Sequence, residues 1–167
     1  VIAACDGIAG GHEGMRYILP SRELIAGSIE TMAQAHRLDG MVLLGSCDKI
    51  VPGMLMAAAR LDIPAILVVG GPAAGGCRFD GRAADITSIA EGLGMLKAGR
   101  IDEASYNQLE NRVMPTCGSC SFLGTANSMG CVAEAMGMSL PGTATIPATH
   151  ADRLRAAQHS GRRIVDL

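Results

Sequence analysis

Two short apolar runs, Met41-Val42-Leu43-Leu44 and Ala65-Ile66-Leu67-Val68-Val69, flank a stretch whose apolar positions recur at helical spacing. Pro52 suits a first helical turn, and Met54, Leu55, Ala58 and Ala59 mark a helix continuing through Arg60. The second run, unbroken over five residues, is of the kind covered on both faces. Residues 41–69 therefore read as strand, helix, strand, for which a right-handed parallel crossover is the default.

Upstream, Leu24, Ile25, Ser28, Ile29, Met32 and Ala33 predict the buried face of another helix. Ser21 serves as its expected N-cap, with Arg22-Glu23 behind it. That helix ends near His36-Arg37, and Asp39-Gly40 turns the chain into the first apolar run. Residues 1–5 read as a short strand. Residues 82–98 and 102–112 are expected helices, with Gly99 stopping the first and Asp102-Glu103 favouring the start of the second. The second is too polar to be central. A further helix follows residues 115–121 and runs through Met136, residues 142–149 form a loop, and His150-Ala151-Asp152-Arg153 opens a last amphipathic helix that turns Ile164 and Val165 toward the core. No repeat or internal boundary interrupts this pattern, which predicts a single α/β domain over residues 1–167.

Composition narrows the partners. The net charge is −2 and no basic run or aromatic-interleaved patch occurs, which argues against nucleic acid. No apolar stretch approaches the roughly 18 to 20 residues that span a bilayer, so no membrane partner is expected. With 22 Gly, 10 Met and four aromatics (two Tyr, two Phe), the core must be aliphatic and closely packed at glycines. The methionines read as core filler. Six cysteines would suit disulfides in a small secreted protein, but an aliphatic-rich chain with no export signal favours thiols or metal ligands. Val1-Ile2-Ala3-Ala4 resembles the middle of a strand and Leu167 closes a helix, so the chain is expected to be part of a longer protein.

The chemistry concentrates in three places. Cys47-Asp48-Lys49 puts a thiol, a carboxylate and an amine at the end of a buried strand, where ligands bind in open α/β sheets and where each group is costly to desolvate unpaired. The glycine-rich loop over residues 6–15 carries Asp6, His12 and Glu13, and its spacing fits neither a P-loop nor a dinucleotide fingerprint. The loop over residues 70–76 follows the second strand on the same sheet edge as Cys47. Cys117-Gly118-Ser119-Cys120 admits three mechanisms: a dithiol opening a helix with lowered thiol pKa values, a structural zinc site, which lacks a second CxxC pair, or an iron–sulfur site completed by Cys47. Cys131 and Cys77 read as inert thiols. Asp48 with a loop carboxylate such as Glu13 suits Mg²⁺, and a soft and a hard metal together suit dehydration of a hydroxylated acid.

These residues carry a resemblance. Asp6-Gly7-Ile8, Gly11-His12-Glu13-Gly14-Met15, Leu19-Pro20-Ser21-Arg22-Glu23 and Cys47-Asp48-Lys49 with Pro52-Gly53-Met54 are similar to the dihydroxy-acid dehydratase / phosphogluconate dehydratase family. So are Pro115-Thr116-Cys117-Gly118-Ser119-Cys120, Thr125-Ala126-Asn127-Ser128-Met129, Glu134-Ala135-Met136-Gly137 and Leu140-Pro141-Gly142, in order over nearly the whole chain.

The resemblance implies a three-layer α/β domain, a mostly parallel sheet flanked by helices, at the N-terminal end of a lyase that dehydrates a 2,3-dihydroxy acid to a 2-keto acid. It implies an iron–sulfur cluster, 2Fe–2S or 4Fe–4S, on three cysteines. Two of these match Cys47 and Cys120; the family's ligand falls on Cys120 rather than Cys117. Mg²⁺ is implied on Glu13, Asp48 and Lys49, the lysine being carbamylated in some members. Asp6, His12 and Ser119 are candidates to line the substrate site. The remaining cluster cysteine is expected upstream of Val1, with Cys5 no substitute, and the serine base in a C-terminal domain. The isolated 167-residue chain is therefore expected to be inactive. A cytoplasmic homodimer is the family expectation. Leu140-Pro141-Gly142-Thr143-Ala144 and the CxxC stretch resemble the branched-chain amino-acid enzyme more than the phosphogluconate one. The alternatives are a sugar-acid dehydratase and a non-catalytic thiol or zinc module on Cys117 and Cys120.

Overall fold

The computed structural model describes residues 4–167. The proposed strand over residues 1–5 falls mostly outside them. Where a plain loop was expected next, the chain forms two single-turn helices, α1 (Asp6–Ala9) and α2 (Met15–Ile18), followed by α3 (Ser21–His36). Then come β1 (Met41–Gly45), α4 (Ile50–Leu61) and β2 (Ala65–Val69). β1 and β2 pair in parallel, Met41 opposite Ala65 through Gly45 opposite Val69, as the strand–helix–strand reading required.

Around this unit sits the main core. It joins Ile25, Ile29 and Ala33 of α3, Leu43 of β1, Val51, Met54 and Ala57 of α4, and Leu67 and Val69 of β2. α3 packs against α4, α4 against both strands and against α7 (Thr125–Ala135), and α8 (Ala151–Arg163) against β2. The backbone N–H of Leu67 donates to the Met138 carbonyl at 2.7 Å, so the segment after α7 closes part of the outer edge of β2. The other edge of β1 has no strand partner among the described residues and faces a groove lined by Ser28, Met32 and Leu38. The result is a mixed helix and strand domain with a small parallel sheet.

Several local expectations change. Ser21 lies inside α3, with Pro20 ahead of it. Its hydroxyl donates back to the Ile18 carbonyl at 2.6 Å, tying α2 to α3. The buried face of α3 is Ile25, Ala26, Ile29 and Ala33, leaving Leu24 and Met32 more than half exposed. Gly53 decides this rotation: a side chain there would begin 2.8 Å from Ile25 Cγ2, so α3 meets α4 closely over this glycine.

The start of the predicted 82–98 helix is instead a hairpin, β3 (Arg78–Phe79) and β4 (Arg82–Ala83), turned by Asp80 and Gly81 at positive φ. The helix α5 (Ser88–Lys97) begins later. α6 (Glu103–Arg112) is capped by Asp102, whose carboxylate accepts from the Ser105 N–H at 2.8 Å. The hairpin, α5 and α6 enclose a second small core of Ala84, Leu109 and Val113, with Cys77 and Phe79 packed against it. Cys77 is accordingly a packing thiol. At the end of the chain Ile164 packs on Gly40, whereas Val165 is exposed rather than turned inward.

Candidate functional site

β1 ends at Gly45, where a side chain would begin 2.6 Å from Met54 Sδ of the following helix. Two residues on, Cys47 takes φ of 76°, a left-handed conformation that costs a non-glycine residue about 1–3 kcal/mol. That turn sets the thiol at the strand end and starts α4 three residues later. Burial pushes the Cys47 thiol up; the Asp48 backbone opposes this, and the Cys5 thiol and the Asp48 and Asp6 carboxylates add to the rise. Such surroundings disfavour a free thiolate nucleophile and favour a cation, which deprotonates a coordinating thiol.

Asp48 is buried, 4% exposed, and ion-paired with Lys49. Burial pushes its carboxyl up, but hydrogen bonds with Lys49, Thr125 and Asp6 and the Lys49 charge outweigh this, and the carboxyl lies below its ordinary value. The Lys49 ammonium also lies 3.8 Å from Asp6 Oδ2. Asp6, in α1, thus reaches the strand-end cluster as its sequence position could not have shown.

The loop before α7 is laced to the loop after β2. Ser119 N–H donates to the Gly71 carbonyl at 2.8 Å, Ala73 N–H to the Cys120 carbonyl at 3.0 Å, and Ala74 N–H to Thr116 Oγ1 at 2.8 Å. Gly118, at φ of 154°, lies against the Ala73 backbone and leaves no room for a side chain. Asn127 of α7 donates to the Cys120 and Phe122 carbonyls at 3.1 and 2.8 Å. Ser46 Oγ and Ser119 Oγ are 2.6 Å apart, which sets the residues next to Cys47 and Cys120 in contact.

α7 begins at Thr125, five residues beyond Cys120, so neither Cys117 nor Cys120 sits in its first turn. The expected CxxC pair at a helix N-terminus is therefore not formed. Cys117 is exposed and Cys120 half-buried.

Beyond Asp6, the glycine-rich loop bonds within itself. His12 Nδ1 accepts from the Gly14 N–H at 3.0 Å and its Nε2–H donates to the Ile8 carbonyl at 3.0 Å, so both ring nitrogens brace their own loop. Glu13 lies with Gly11, His12, Met15 and Arg16 along an exposed groove. Among the described residues no three His, Cys, Asp or Glu side chains are gathered closely enough to hold a metal ion. This chain alone thus offers a partial donor set, two half-buried thiols and a buried carboxylate, whose chemistry fits an iron–sulfur cluster and a hard cation completed from elsewhere.

The sequence alone does not single out Ser46, Thr125 and Asn127 as site residues. Their polar side chains at a strand end and in the first turn of a helix were the available signal.

The family described as Dihydroxy-acid/6-phosphogluconate dehydratase N-terminal matches residues 1–167. The chain belongs to this family. Among curated relatives, it is 58% identical over 166 residues to a dihydroxy-acid dehydratase of Caldanaerobacter subterraneus, covering 99% of this chain and 30% of that protein. Dihydroxy-acid dehydratases of Halothermothrix orenii and Clostridium pasteurianum are 55% and 54% identical over 99% of this chain, covering 30% and 58% of those sequences. The chain thus spans about a third of the length of most of these dehydratases.

Proposed function

We propose that this chain is the metal-binding N-terminal portion of a hydro-lyase that converts a 2,3-dihydroxy carboxylic acid to a 2-keto acid, as in branched-chain amino-acid biosynthesis. The observation that carries the reading is the Ser46–Ser119 contact, which draws the Cys47 and Cys120 loops together beside Asp48 and Lys49. Relatives named dihydroxy-acid dehydratase favour this substrate class over a sugar acid.

Cys47 and Cys120 would hold the cluster, with a third cysteine from outside this chain; Asp48, Glu13 and Lys49, the last once carbamylated into an oxygen ligand, would hold Mg²⁺. When bound, these groups supply Lewis acidity toward the substrate carboxylate and the departing C3 hydroxyl. Asp48 and Asp6 hold the Lys49 side chain at the strand end. The loops at 6–15, 70–76 and 115–124 shape the walls of the substrate site, with Asp6, His12 and Ser119 on them. The net reaction removes the C2 proton and the C3 hydroxyl as one water, and the resulting enol tautomerises to the 2-keto acid. The base that takes the C2 proton comes from a C-terminal domain. The assembled protein is a cytoplasmic homodimer in which this chain is a three-layer α/β domain, a mostly parallel sheet flanked by helices.

The test is the full-length protein purified without oxygen. Iron and sulfide should co-purify with a brown absorption that Cys47→Ser and Cys120→Ser each bleach, together with keto-acid formation from a dihydroxy acid. A colourless protein that stays metal-free after reconstitution overturns the reading, and returns attention to Cys117 and Cys120 as a simple dithiol.

A further inference from the structure

Ser46 and Ser119 are 73 residues apart in sequence, and no sheet or helix joins them. Their hydroxyl oxygens are 2.6 Å apart, a short O–H···O hydrogen bond in a half-buried setting. Gly70 covers both: a side chain there would begin 2.9 Å from Ser46 Oγ and 3.5 Å from Ser119 Oγ. The Gly70 N–H donates to the Gly45 carbonyl at 2.8 Å, and the Ser119 N–H donates to the Gly71 carbonyl at 2.8 Å. Each serine is thus held on its backbone side by the loop after β2, and the two meet over a glycine that keeps space for them.

We infer that Ser46 and Ser119 form a positioning latch, a hydroxyl pair that sets the separation of Cys47 and Cys120 before metal arrives. The inference rests on the assignment of those two cysteines as ligands of one metal group. Each serine is covalently adjacent to its cysteine, so a shift of either hydroxyl is transmitted to the neighbouring thiol through a single peptide unit. The Cys120 side is otherwise well fixed, its carbonyl accepting from Ala73 and Asn127. The Cys47 side, held in a left-handed turn, meets the CxxC loop directly through the latch. Polar groups that orient metal ligands from outside the coordination sphere typically contribute 10- to 100-fold in metal affinity. On this account the Ser119 hydroxyl faces Ser46 and acts through Cys120.

The experiment uses the full-length apo-protein titrated with Cd²⁺, read by the thiolate-to-cadmium charge-transfer band, and the reconstituted protein read by electron paramagnetic resonance after reduction. Ser46→Ala and Ser119→Ala should each weaken Cd²⁺ binding about tenfold or more and alter the resonance line shape. The double variant should be no weaker than either single one, because the two hydroxyls act as one unit. Gly70→Ala, which displaces Ser46 Oγ while both serines remain, should reproduce the loss. Ser46→Thr, which keeps the hydroxyl, should restore most of it.

Additive losses in the double variant, or variants with lowered urea midpoints and unchanged Cd²⁺ affinity and line shape, overturn the latch. A wild-type protein whose cadmium band does not depend on Cys47 and Cys120 overturns the ligand assignment beneath it, and is recognisable before any serine variant is made.

Discussion

Ile25 of α3 lies over Gly53 of α4 so closely that a side chain on the glycine would begin 2.8 Å from Ile25 Cγ2 and 2.9 Å from its Cβ. The Arg22 carbonyl is 3.1 Å from the same point. Neither is the free end of a flexible chain, so α3 must move to admit a methyl group. Gly53→Ala gains about 1 kcal/mol of helix propensity and incurs about 1–3 kcal/mol of overpacking. The expected outcome is a net loss of up to about 2 kcal/mol in urea unfolding of the full-length protein. A midpoint at or above wild type would mean that the two helices do not meet here.

Leu67, in the middle of β2, is 1% exposed and belongs to the main core. Leu67→Ala should cost about 2–5 kcal/mol through lost burial and the cavity left behind. Leu154, on α8, is 78% exposed, and Leu154→Ala should stay within about 0.5 kcal/mol. Equal losses at the two positions would place Leu154 under a covering surface that this chain does not contain.

Asp48 faces Lys49, Thr125 and Asp6 from its buried position. Asp48→Asn leaves the Lys49 side chain with Asp6, at 3.8 Å, as its nearby carboxylate, and replaces the anionic carboxylate donor of the proposed cation site with a neutral amide. Mg²⁺ dependence of keto-acid formation should shift to concentrations higher by more than about 100-fold, exceeding the usual cost of losing a group outside the coordination sphere. Unchanged Mg²⁺ dependence would remove Asp48 from that site and leave it the structural partner of Lys49.

Glu134 of α7 accepts the backbone N–H groups of Gly142 and Ala144 at 2.8 and 2.7 Å, and these bonds hold its carboxyl below its ordinary value. A carboxyl lowered on folding adds stability above its unfolded pKa, about 4.3, and loses it as pH falls through the lower folded value. The Glu134 contribution should therefore be constant near neutrality and fade in acid. Glu134→Ala should cost about 1 kcal/mol at pH 7 and progressively less below about pH 4, with greater hydrogen exchange at the Gly142 and Ala144 amides. A cost that persists undiminished in acid would assign the effect to packing instead of charge.

The central strand–helix–strand unit was readable because its signals are local: two unbroken apolar runs, a proline in the first turn of a helix, and a connection of the right length for a parallel crossover. β1, α4 and β2 came out where the pattern put them, and α6 starts at the Asp102-Glu103 pair expected to open it. The adjacency of Cys47, Asp48 and Lys49 is itself a sequence fact, which is why the strand-end cluster was visible from the start.

Other features depend on which surfaces meet. Periodicity names the apolar positions of α3, but the glycine on α4 selected the stripe through Ile25, Ala26 and Ile29 and left Leu24 and Met32 outside. The hairpin at residues 78–83 is too short to show a strand period, and it is held by the small core of Leu109 and Val113. The Ser46–Ser119 contact is the clearest case. Nothing in either local stretch indicates that hydroxyls 73 residues apart meet at 2.6 Å. That proximity exists because β1 and β2 are parallel neighbours, which brings the loop after β2, and the CxxC loop bonded to it, to the same sheet edge as Cys47. Local sequence determined which residues could do the chemistry; the parallel pairing of two strands determined which of them stand together.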